Sequence, residues 1–250
     1  MKRQELLDYL YSFLKIDDYR DSCPNGLQVE GREEIFKVVT AVSTSAELFE
    51  RAIHQQADAV IVHHGLIWDS ERPVYRGSYR ERVRLLLTEN INLLVYHLPL
   101  DAHPEIGNNA QLCQALHLKN LQSFADRHGN PVGIRGTAEG VPKDSFFVKI
   151  ETLVNHPLIV FPYGPDSIYK AGVISGAAQK DVVQAVREGL DVFITGEVSE
   201  HIMHYAKEER IHFIAAGHYA TEKFGIMALS DHLSRKFPLE VKFIDLPNPI

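Results

Sequence analysis

Imidazoles and carboxylates gather at three places in this sequence: His63-His64, His97-Leu98-Pro99-Leu100-Asp101, and His218-Tyr219-Ala220-Thr221-Glu222. Nitrogen and oxygen donors together suit zinc, manganese, iron or nickel rather than a metal selected by thiolates. Five candidate ligands, His63, His64, Asp101, His218 and Glu222, are more than one tetrahedral ion takes, so two divalent ions are the economical expectation. A carboxylate can bridge ions roughly 3.5–4 Å apart, and an imidazole normally does not, which makes Asp101 or Glu222 the expected bridge. Such a pair acidifies water near neutral pH and polarises the bond to be broken, which is hydrolase chemistry. His97 and Glu197 are the candidates to carry the proton or to orient the ligands.

Each place also has a plainer reading. Adjacent histidines can be solvated or hydrogen-bonded, Asp101 can close a turn, and a His/Glu pair at i, i+4 is often a weak surface contact. The same residues could serve a metal-binding or metal-sensing scaffold without turnover. Their common position after apolar, strand-like runs favours the metal site. Ser175-Gly176-Ala177-Ala178-Gln179 reads as an ordinary turn, Asn108 or Asn109 as a helix N-cap, Trp68 as packing and Cys113 as inert. No Gly-x-Ser-x-Gly occurs, which argues against a covalent serine mechanism.

The elements that must position these residues are those of an α/β protein with buried strands. Strands are expected over 38–42, 59–62, 91–95, 171–174, 192–194 and 211–215, with helices over 46–55 and 180–188. Gly129 to Pro165 reads as less regular, and Pro99 is expected to stop any helix after the strand at 91–95. His63 and His64 can share a site only where the chain turns, which Gly65 permits. Residues 39–64 match 172–197 without a gap, and His97-x-x-x-Asp101 falls on His218-x-x-x-Glu222. The expected fold is two pseudo-symmetric α/β halves, 1–125 and 126–250, forming a layered sandwich with a dinuclear metal site at their interface.

Composition bounds the function. The 250 residues carry a formal net charge of −7 with no basic cluster, so duplex nucleic acid is not an expected partner. Cys23 and Cys113 are too few and too far apart for a disulfide framework, and the N-terminal Leu6, Leu7 and Leu10 are interrupted by Glu5 and Asp8. A cytoplasmic protein without membrane association is the expectation, since no apolar run nears the ~20 residues of a spanning helix.

Several stretches together resemble the family of GTP cyclohydrolase 1 type 2, also called the NIF-three-like proteins, and its short bacterial members in particular. They include Asn25-Gly26-Leu27-Gln28-Val29-Glu30-Gly31, His63-His64-Gly65, His97 to Pro104, Gly107-Asn108-Asn109-Ala110, Thr195 to His201, Ala215 to Glu222 and Phe243 to Pro249. The resemblance implies that His63, His64, Asp101, His218 and Glu222 ligate a dinuclear centre. It also implies a toroidal homohexamer and, from the family name, a nucleotide such as GTP as the small-molecule substrate. Longer relatives carry an extra domain between the halves, where this chain has only the stretch rich in Gly and Pro.

Overall fold

The computed structural model describes residues 1–70, 74–127 and 129–250. The chain runs through α1 (Arg3–Phe13), β1 (Gly26–Val29), β2 (Lys37–Ser43), α2 (Ala46–His54), β3 (Ala59–His64), α3 (Gly77–Thr88), β4 (Asn92–Val95) and α4 (Leu98–Asp101). It continues through α5 (Asn108–Ala115), β5 (Lys119–Arg127), β6 (Asn130–Pro142), α6 (Lys143–Val154), β7 (Ile159–Pro162) and β8 (Ser167–Val173). The last elements are α7 (Val182–Arg187), β9 (Val192–Thr195), α8 (Ile202–Glu209), β10 (His212–Ala215), α9 (His218–Lys236) and β11 (Glu240–Phe243). The protein is mixed α/β with two sheets, in the orders β1-β4-β3-β2-β11 and β5-β6-β8-β9-β10-β7.

Two compact units share the chain. The first is Met1–Leu100 with Ile226–Leu246, and the second is Asp101–Gly225 with Pro247–Ile250. The 125/126 boundary expected from sequence falls inside β5, which pairs antiparallel with β6 in the second unit. The first unit recovers residues 226–246 because β11 adds in parallel to β2 and covers what would otherwise be an open sheet edge.

Within the first unit, alternate strand residues bury two faces. Val39, Ala41, Val60, Val62, Leu93 and Val95 pack with Leu48, Phe49 and Ala52 of α2 and with Val83 and Leu86 of α3. Thr40, between them, turns the other way and bonds through Oγ1 to Ser230 Oγ of α9 at 2.6 Å. Helices on both sides explain why β2 to β4 read as continuous apolar runs. In the second unit, Phe146, Ile150 and Val154 of α6 share a core with Ile168, Ala171 and Val173 of β8, Ile194 of β9 and Ile214 of β10. The stretch Gly129 to Pro165 is more regular than expected, holding the 13-residue β6, the 12-residue α6 and β7.

The internal match proves to be a repeat of whole elements: β1-β2-α2-β3-α3-β4 recurs as β7-β8-α7-β9-α8-β10. Val38 faces Ala59 across parallel strands as Ala171 faces Val192, and Gly26 faces Val95 across antiparallel strands as Ile159 faces Ala215. The shift is therefore 133 residues from β1 to β3 and 120 in β4. Side chains confirm the register. Asp58 Oδ2 accepts from the amides of Phe36 and Lys37, and Asp191 Oδ2 accepts from those of Tyr169 and Lys170. Gly31 N donates to Asn92 Oδ1 as Gly164 N donates to His212 Nδ1. A Cβ at either glycine would press on the backbone nitrogen of that partner, so both positions demand a bare backbone.

This register corrects one reading. His97 falls on Gly217, and His218 falls on Leu98, so the two His-x-x-x-acid stretches are one residue out of alignment. Their similarity is not produced by the repeat.

Candidate metal centre

In the first unit, His63 and His64 are the last two residues of β3, which runs two residues farther than expected and keeps its ladder pattern, with Ser43 opposite His64. His63 is fully buried, and its Nδ1 donates to the Tyr96 carbonyl at 2.9 Å. His64 Nδ1 lies 2.9 Å from Ser43 Oγ. His97 follows β4, and its Nδ1 donates to Asp21 Oδ1 at 2.8 Å. Asp21 also accepts from Leu98 N, while Asn25 Oδ1 accepts from His97 N, so the ring and its backbone are both held. Burial works against a charge on Asp21, but bonds from His97, Asn25 and Leu98 outweigh it and keep the carboxyl below its usual range.

Nitrogens of His63, His64 and His97 lie within 4.8 Å of one another, close enough to share an ion. The adjacent histidines therefore meet at the end of a strand, without the turn expected between them. Trp68 covers them, edge-on to His97 at 5.0 Å between ring centres, with Nε1 donating to the Gly65 carbonyl.

In the second unit the donors are mostly carboxylates. Asp101 closes the short α4, which Pro99 does not prevent: in a first helical turn the missing N–H has no partner to lose. Asp101 Oδ1 accepts from Asn108 Nδ2 at 2.8 Å and from Ser175 Oγ at 3.0 Å. Asn108 Oδ1 accepts in turn from Gly225 N, and Asn109 Oδ1 from Ser175 N. Neither asparagine is the N-cap, which is Gly107; both are fully buried and organise the surroundings of Asp101.

His218 opens α9. Its Nδ1 donates to Glu197 Oε1 at 2.7 Å, and its Nε2 lies 3.0 Å from Glu222 Oε2 one turn along. Burial disfavours the imidazolium, but the bonds and charges of Glu222 and Glu197 prevail and raise its pKa to about 9. Oxygens of Asp101 and Glu222 lie within 4.8 Å of each other. Gly176, at φ +66°, passes so close to Glu222 that a Cβ there would collide with Oε1. The turn 175–179 thus has a specific task, leaving room around that carboxylate.

All five predicted ligands lie in clusters of residues that could hold a metal ion, with His97 as a further imidazole donor. A divalent ion fits this donor chemistry: nitrogen and oxygen only, with the imidazoles of His63, His97 and His218 each donating through Nδ1 to an oxygen acceptor, which makes Nε2 the ligand atom. Sequence reasoning did not single out Asp21, Ser43 or Ser175 as holding these groups. Cys113 is buried, with its thiol pushed up to about 12 by desolvation, and is inert.

The sequence profile described as Duf34/NIF3 (NGG1p interacting factor 3) matches residues 1–249. The chain belongs to this family. A Duf34/NIF3 relative from Haemophilus influenzae, named GTP cyclohydrolase 1 type 2 homolog, is 44% identical over 100% of this chain and 98% of its own. A solved structure described as protein ybgI, of unknown function, is 43% identical with a TM-score of 0.93 over 100% of both chains. A protein of Thermus thermophilus is 34% identical with a TM-score of 0.90, again over 100% of both. Among the described residues, no helix is long and apolar enough to cross a membrane.

Proposed function

We propose that this protein is a metal-dependent hydrolase that holds two divalent ions through His63, His64, Asp101, His218 and Glu222 and acts on a nucleotide or a similar small polar molecule. The observation that carries this reading is the commitment of Nδ1 in His63 and His218 to the acceptors Tyr96 O and Glu197 Oε1, which makes Nε2 the ligand atom of each ring. When bound, such ions acidify water and polarise the bond to be cleaved.

The chain's own residues do the rest. Glu197 holds the proton on His218 Nδ1 and fixes the ring. Asp21 holds the proton on His97 Nδ1, which leaves Nε2 basic and suited to receive a proton from water or return it to a leaving group. Asn108 and Ser175 occupy one oxygen of Asp101 and orient the other. The name carried by the Haemophilus influenzae relative supports a nucleotide such as GTP. The family resemblance supports a homohexamer, which light scattering would read directly.

The test is metal analysis of freshly purified protein, joined to a hydrolase and cyclohydrolase screen on GTP and other nucleotides, with Asp101→Ala and Glu222→Ala beside it. About two ions per chain, and turnover reduced to background in both variants with the fold intact by circular dichroism, are expected. No metal and no uptake would overturn the reading. Two ions without turnover of any nucleotide, peptide or phosphoester would favour a metal-binding scaffold.

A further inference from the structure

The repeat makes it possible to ask what fills equivalent positions. In the first unit, Trp68 packs against His64 and His97 and donates from its indole N–H to the Gly65 carbonyl. The register carries those three residues onto Glu197, Gly217 and Val198. All three line a pocket of about 280 Å³ in the second unit. Where one repeat seats an indole, the other has a cavity.

The remaining lining is Pro157, Ile159, Ala215, Pro249 and Ile250, which are apolar, with Gly196 and His156. Ile159 and Ile250 line it while leaving 51% and 62% of their surface exposed. The outer wall is fastened in place: His156 Nε2 bonds the Pro249 carbonyl at 2.9 Å, and Tyr219 N bonds the Ile250 carbonyl at 2.9 Å. The volume lies just below the roughly 300–1,000 Å³ of pockets that enclose whole drug-sized ligands. A ring fits where a complete nucleotide would not.

We infer that this pocket receives a planar bicyclic base of purine type, bearing ring N–H donors, in the place that corresponds to the Trp68 indole. Val198 takes the register position of Gly65, whose carbonyl accepts the indole N–H, and Glu197 lines the pocket beside it. Proline and branched aliphatic side chains supply flat and apolar surface for the faces of the ring. That the base belongs to the molecule being hydrolysed rests on the function proposed above; the binding itself does not.

Guanosine is the probe and cytidine the single-ring comparator, titrated calorimetrically into the full-length protein at measured metal content. Ile159→Trp fills the pocket from an exposed position, and Val198→Asp places a charge in it. Guanosine should bind at least tenfold more tightly than cytidine, and both variants should weaken it tenfold or more with ion content and melting temperature unchanged. Guanosine binding untouched by both variants overturns the proposal. So does absence of guanosine binding, and if Ile159→Trp then also changes the oligomeric state, the pocket is a contact between copies of the chain. Guanosine binding that the variants abolish in protein without metal sustains the pocket while the hydrolase reading falls. Turnover without guanosine binding does the reverse.

Discussion

The two repeats share a frame and differ at its rim. Asp58 and Asp191 tie the same pairs of amides, and Gly31 and Gly164 admit the same close approach, so the strands of both units are set alike. Beyond the strand ends they part. His63 and His64 correspond to Gly196 and Glu197, Ser43 to Gly176, and Leu98 to His218. Residues inside a ladder are constrained by hydrogen bonds and burial on both faces, whereas those just past it are free to change chemistry. The rim of the first repeat carries the imidazoles His63, His64 and His97 with Asp101 beyond them, and that of the second carries His218 with Glu197 and Glu222. Each rim thus has its own set of nitrogen and oxygen donors on the same frame.

The comparison can be broken most forcefully at Trp68. Trp68→Ala should cost about 3 kcal/mol in urea unfolding, near the low end for a large aromatic because the ring is only partly buried. Added indole should restore part of that loss. A variant as stable as the parent, or indifferent to indole, would mean that the first repeat has no ring-shaped seat to compare with the second.

A smaller effect sharpens the contrast between the partners that hold the imidazoles. Glu197→Gln replaces a charged acceptor of His218 Nδ1 and should lower metal affinity by roughly 10–100-fold in chelator competition. Ser43→Ala removes a neutral partner of His64 and should cost less. Equal losses would show that the two repeats hold their rings with the same strength.

The smallest effect concerns His212, the counterpart of Asn92. Burial lowers its pKa, against a bond to Pro165 O that favours the cation. As pH falls below the ordinary histidine value, the unfolded chain gains a proton that the folded chain refuses, so stability declines until His212 is itself protonated. His212→Asn, which copies the first repeat, should retain the bond from Gly164 N and flatten the fall in urea midpoint between pH 7 and pH 5. An unchanged slope would place the acid sensitivity elsewhere.

Much of this was legible because parallel strands buried on both faces leave continuous apolar runs, and the ungapped match of 39–64 with 172–197 survives in the ladder register. The clusters containing the five candidate ligands were legible because imidazoles and acids stood at the ends of those runs. β6 was hidden by its glycines. Gly133 is there because any Cβ would meet the Phe124 ring on the neighbouring strand, a reason invisible along the chain. Asp21 bonds a histidine 76 residues away, and no local pattern announces it. Asn108 and Asn109 had the composition of a cap, and only burial separates that role from the one they have.

The β5–β6 hairpin belongs to neither repeat. It follows β4, α4 and α5 and precedes α6, and it extends the second sheet by two strands outside β8. Its turn, near Gly129, is therefore a natural doorway for foreign sequence. A segment grafted there interrupts neither copy of the repeated frame, and each doubling of a flexible loop adds only about 0.6 kcal/mol of closure entropy. A reporter domain spliced in at that turn would make the protein larger without rewriting the residues that give it chemistry.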